Sequence, residues 1–211
     1  MTKFVLPLIL SAAVCAPAQD WAKLRLDKSP RHSEWVSVKH GDRSVETFVV
    51  YPESQGKTPV IVLIHEIFGH TDWVREVSDE LAGAGYIVLA PDLLSGAGPN
   101  GQGSKAFDQS GAVQAVSHLD PEQITADLNA VADYGLRLPA SNRELFVIGF
   151  CWGGGQSFRF ATNRPDLRAA FVFYGPPPDK DAMARIRRRS TGFMPAMMPE
   201  LGPPFPTPSA K

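Results

Sequence analysis

The sequence predicts an α/β fold: one mostly parallel sheet with helices on both faces. Three observations carry this. Short continuous apolar runs, at 59–64, 86–90, 145–148 and 169–174, alternate with stretches of helical spacing. A Gly-rich turn around Cys151 joins a strand to a helix. The chain has 211 residues, 44% hydrophobic and 20% charged, with a formal net charge of −1. That balance suits one globular domain and gives no electrostatic case for nucleic-acid binding.

Taken in order, residues 1–18 read as a secretory signal. Lys3 is the positive start, 4–14 form a short apolar run, and Ala16-Pro17-Ala18 is a small-residue cleavage site. The expected product is exported, periplasmic or secreted, with cleavage near Ala18. Lipid attachment at Cys15 is the alternative, disfavoured by Val14 before it. Cleavage leaves Cys151 with no disulfide partner, so it is a buried apolar residue or a reactive thiol.

Residues 19–33 are a lead-in. The runs 34–40 and 43–51 alternate around Gly41-Asp42, which predicts an antiparallel hairpin. Buried strand 59–64 precedes a helix over 72–84, with Trp73, Val77, Leu81 and Ala84 on one face and Gly85 as its stop. Strand 86–90 leads to a Gly-rich loop over 92–103 and a helix over 104–119. Asp120-Pro121 opens a further helix to about Leu138. Strand 145–148, helix 152–162 and strand 169–174 complete the alternation.

The chemistry is concentrated in Gly149-Phe150-Cys151-Trp152-Gly153-Gly154. A buried strand entering Gly-x-Cys-x-Gly-Gly and then a helix has the pattern of a nucleophile elbow, with cysteine for serine. A helix N-terminus favours thiolate over thiol, and the Trp152 N–H is placed to donate to an oxyanion. A phosphate loop would end in Lys-Ser or Lys-Thr, which is absent. A second constellation, His65-Glu66-Ile67-Phe68-Gly69-His70, follows the first buried parallel strand. The Ile67 N–H is the candidate second oxyanion donor, and Glu66 is expected partly buried near Cys151. The spacing of His65, Glu66 and His70 does not match a zinc-protease helix, and no metal is expected.

Residues 60–69, 86–92 and 149–154 together resemble the dienelactone hydrolase family, the carboxymethylenebutenolidases, over about residues 34–186. The resemblance implies an α/β-hydrolase fold and the opening of enol lactones or related small esters by a Cys-His-Asp triad, without metal or organic cofactor. It makes Cys151 the nucleophile and Glu66 the carboxylate that helps generate its thiolate. Trp152 and Ile67 become the backbone oxyanion hole.

That chain order is nucleophile, acid, histidine. Here His32, His40, His65, His70 and His118 all precede Cys151, and Asp166, Asp179 and Asp181 occupy no clear post-strand acid position. After Ile186 the periodicity stops. Of 19 prolines, six fall in the last 25 residues, so 187–211 reads as an aberrant Pro/Met-rich tail without regular structure. Methionine has one codon, so a frame one base earlier forces Asp from Met197-Met198 and Ala from Met198-Pro199. Suitable synonymous codons make the tail a buried strand ending in an acid, like the family's triad-Asp segment. The expectation is a single-base deletion near Arg187, from a pseudogene or sequencing error, leaving the hydrolase domain incomplete, poorly folding, and weakly active or inactive.

The expected function is hydrolysis of small-molecule lactones or esters, with no nucleic-acid or membrane partner. The alternative is a non-catalytic hydrolase-like fragment. A thiol redox protein ranks last, because no Cys-x-x-Cys pair is present.

Overall fold

The computed structural model describes residues 20–186. The expected signal segment, 1–18, and the expected shifted-frame tail, 187–211, lie outside the described residues. Strands β1 (Ser33–His40), β2 (Arg43–Val50), β3 (Thr58–Ile64), β4 (Ile87–Pro91), β5 (Ser141–Phe150) and β6 (Leu167–Phe173) form one sheet in the order β1-β2-β4-β3-β5-β6. The β1–β2 hairpin pairs antiparallel with the rest, while β4, β3, β5 and β6 run parallel. Helices α1 (Asp20–Leu26), α2 (Asp72–Gly83), α3 (Gln109–Ser117), α4 (Pro121–Arg137), α5 (Trp152–Asn163) and α6 (Lys180–Met183) surround it.

The apolar runs are continuous because both faces of the central strands are covered. Val60, Val62 and Ile64 pack with Ile124, Leu128 and Val131 of α4 and Phe160 of α5. Ile61 and Leu63 point the other way, among Val74 and Ala82 of α2. Helix α1, unassigned within the lead-in, rests on α2, where Arg31 and Ser29 bind the Asp79 carboxylate.

Two element bounds need correction. The helix expected over 104–119 begins only at Gln109, where the Asp108 side chain accepts the Gly111 N–H at 2.7 Å; the glycines before it leave a single 3-10 turn over Ser104–Ala106. Strand β5 starts at Ser141, four residues before the apolar run, because its polar start also pairs with β3. The α4 entry agrees with the sequence: Asp120 accepts from the N–H groups of Glu122 and Gln123 at 2.7 and 3.0 Å. The buried carboxylate of Asp127 holds the hairpin onto α4 by accepting from Arg43, Gln123 and the His40 ring.

Candidate active site

The site residues lie at the C-terminal ends of adjacent parallel strands, where open α/β sheets place ligands. Register fixes their alignment. Ile64 pairs with Gly149, so Glu66 and Cys151 each lie two residues past one rung. Phe150 pairs with Phe173, so Cys151 and Tyr174 each lie one residue past another.

Cys151 caps α5 with φ 56° and ψ −122°. A side-chain-bearing residue pays about 1–3 kcal/mol for such a conformation. The surroundings enforce it: the Cys151 N–H donates to the Phe173 carbonyl at 3.0 Å, and its carbonyl accepts the Gly155 N–H at 3.2 Å. A Cβ on Gly149 would overlap the Gly153 carbonyl, and one on Gly153 would overlap the carbonyl oxygens of Ile64 and His65. The glycines of the motif let helix α5 start directly against two strand ends. Cys151 is half-buried and is not disulfide-bonded.

Trp152 opens α5, and its N–H, like that of Ile67, has no acceptor among the described residues. Its indole stacks on the His65 ring at 5.4 Å and 15°. His65 is fully buried, with Nδ1 2.7 Å from the Glu66 carbonyl oxygen. Burial pushes its imidazole below the ordinary histidine range, and the bond to that carbonyl only partly opposes this. Below about pH 6.5 the unfolded chain therefore takes up a proton that the folded chain refuses. This stability contribution is full above that pH and is lost as pH falls toward the depressed folded value. His65→Phe keeps the ring stack and removes the titration. Urea unfolding between pH 6.5 and 5 should then lose less stability as pH falls than it does in the unaltered protein.

The 65–70 loop is pinned from the side by Asp92 and Ser104, to which the sequence alone assigned no role at the site. Ser104 Oγ accepts the His70 N–H at 2.8 Å and donates to Asp92 at 2.7 Å. Asp92, almost fully buried, also accepts from the N–H groups of Ser104 and Leu94. Buried Asp followed by a Gly/Ser loop was the available signal. A cavity of about 620 Å³ beside Phe68 is lined by Asp108, Gln109, Ser110 and Val113 at the start of α3. Another of about 640 Å³ lies at the β1–β2 turn, lined by residues such as His40, Arg43 and Gln123 but by none of Glu66, Ile67, Cys151 or Trp152.

Glu66 is half-buried, and its Oε1 accepts a 2.9 Å hydrogen bond from Tyr174, a residue the sequence reading did not single out. None of the histidines is hydrogen-bonded to Cys151 among the described residues. His40 is on Asp127, His118 is on the Gln114 carbonyl, and the half-buried His70 packs against Trp35 and Phe48. Asp166 pairs with Arg164, and Asp179 caps α6. No group of three or more His, Cys, Asp or Glu side chains among the described residues is arranged to hold a metal ion. No helix among them is long and apolar enough to cross a membrane.

Comparison with known proteins bears on the family and the fold. Residues 45–194 match the model of the dienelactone hydrolase family. A protein of Escherichia coli K12, provisionally named a carboxymethylenebutenolidase, is 36% identical over 124 residues, covering 58% of this chain and 45% of that protein. Carboxymethylenebutenolidase 1 of Cupriavidus pinatubonensis is 33% identical over 119 residues, covering 56% of this chain and 50% of that protein. The chain thus spans about half the length of these relatives. A crystal structure from Klebsiella pneumoniae, provisionally described as a dienelactone hydrolase, superposes with a TM-score of 0.61 at 27% identity, covering 71% of this chain and 62% of that one. The fold is that of the α/β-hydrolases, and the chain belongs to the dienelactone hydrolase family.

Proposed function

We propose that the chain is a cysteine hydrolase of small lactones or esters, with Cys151 as nucleophile. The observation that carries this is the conformation of Cys151: φ 56° and ψ −122° at the junction of β5 and α5, beside the end of β3. A fold accepts that strain where a side chain must stand clear of a turn at a helix N-terminus. Glu66, on the neighbouring strand end, serves as the carboxylate that takes the thiol proton. The thiolate sulfur attacks the carbonyl carbon. The N–H groups of Trp152 and Ile67, both free of other acceptors among the described residues, stabilise the oxyanion. The C–O bond then breaks, the departing oxygen takes the proton held on Glu66 and leaves as the alcohol, and an acyl-thioester remains on Cys151. For a lactone the alcohol stays on the acyl chain.

Hydrolysis of that thioester needs a base for water. No histidine contacts Cys151 among the described residues, so the 211-residue chain is expected to acylate faster than it deacylates. The same observation favours the second reading, a hydrolase-like fragment without turnover. Mixing the chain with p-nitrophenyl acetate and with a panel of neutral and carboxylated lactones separates the two. A stoichiometric burst of product, abolished by prior alkylation of Cys151, supports the first; no burst with any substrate supports the second. Export after cleavage near Ala18 is part of the proposal, and N-terminal sequencing of the protein from its host tests it.

A further inference from the structure

Resting on the assignment of Cys151 and Glu66 above, we infer that Tyr174 is the positioning residue that holds the Glu66 carboxylate over the nucleophile. The three residues stand in a row across three adjacent strand ends: Glu66 after β3, Cys151 after β5 and Tyr174 after β6. Strands lie about 4.8 Å apart, so the outer two start about 10 Å apart with Cys151 between them. The 2.9 Å bond from the Tyr174 hydroxyl to Glu66 Oε1 closes that span, joining residues 108 positions apart in sequence. It crosses the end of the strand that carries the thiol.

Packing does not account for this placement. Tyr174 is 71% exposed, and among the described residues the aromatic ring it approaches is that of Phe150, at 6.3 Å between centroids. Its backbone is left-handed, φ 41°, which a tyrosine adopts only when held there. Gly175, next in the chain, is pressed against the backbone of Gly154 and Gly155 at the start of α5, so the β6 exit is fixed to the helix that Cys151 caps. Some burial, the bond to Glu66, and the Glu66 and Cys151 charges push the phenol up to about 12. It therefore stays protonated and remains a donor to Glu66 throughout the working pH range.

The test reads the thiol directly and needs no turnover. Alkylation of Cys151 by iodoacetamide is followed by peptide mass spectrometry from pH 5 to 10 in four full-length proteins: unaltered, Tyr174→Phe, Glu66→Gln, and both together. Phenylalanine keeps the ring and its backbone preference and removes only the donor. Glu66→Gln should slow alkylation at pH 7 by about tenfold, and Tyr174→Phe by about threefold in the same direction. In the Glu66→Gln background the Phe change should have no further effect, because it acts through the carboxylate. A Tyr174→Phe rate equal to or above that of the unaltered protein, beside a slow Glu66→Gln, overturns the inference and leaves the Cys151–Glu66 assignment standing. An equal slowing in both backgrounds overturns it too, since the phenol would then act on the sulfur itself. No effect of Glu66→Gln removes the assignment and the inference with it. Unfolding temperatures of all four proteins, expected to agree within about 2 °C, exclude a general loss of structure as the cause.

Discussion

Replacing Cys151 with alanine is expected to abolish covalent acylation of the chain by activated esters, a loss of at least about a thousandfold in the acylation rate. Every other element of the proposed site survives the change. The helix N-terminus, the Glu66 carboxylate and the free N–H groups of Trp152 and Ile67 remain, yet none can form a bond to carbon. The residual rate then reports what binding and oxyanion stabilisation do for attack by water. Stability should move little. Alanine and cysteine are similar in size, and alanine at φ 56° meets the same steric penalty, so unfolding should shift by less than about 1 kcal/mol. Large loss of acylation with little loss of stability separates a chemical role for Cys151 from a packing role.

The second large effect is structural. Gly153→Ala is expected to cost about 3 kcal/mol or more, lowering the unfolding temperature by about 6–12 °C or preventing folding. The added methyl group would overlap the carbonyl oxygens of Ile64 and His65, at the end of the central strand β3. Backbone there cannot yield without breaking the β3–β5 pairing through Ile64 and Gly149. At Gly155, two positions on, an added methyl group would meet the Pro176 ring first, at 3.1 Å, and a shift of a few tenths of an ångström relieves that contact. Gly155→Ala should therefore cost no more than about 1 kcal/mol, and Gly56→Ala, in open space, should be neutral. Thermal unfolding of the three variants should rank them in that order. An unaffected Gly153→Ala protein would mean that α5 does not start against β3 as described.

Much of this architecture was legible in the sequence because its signals are local. Val60 to Ile64 is apolar on both faces, and the sheet is covered on both faces there. Asp120-Pro121 marked a helix start from capping chemistry alone, and the glycines around Cys151 marked a turn with no room for side chains. What escaped was non-local or polar. The stretch 92–108 reads as a Gly-rich loop entering a helix at 104, whereas what orders it is the buried Asp92 carboxylate and the Ser104 hydroxyl reaching back to the 65–70 loop. Tyr174 looked like the end of an apolar strand. Its partner is 108 residues away, and only the β3-β5-β6 strand order brings the two together.

The central claim is that Cys151 carries the acyl group, and the most direct test is to find that group. The full-length chain is mixed with p-nitrophenyl acetate, quenched in acid within seconds, digested, and searched by mass spectrometry for acetylated peptides. The expected result is one acetyl group per chain on the peptide containing Cys151, absent from Cys151→Ala and from protein alkylated beforehand. Product release that continues unchanged in Cys151→Ala, or acetyl groups found only on other side chains, would contradict it.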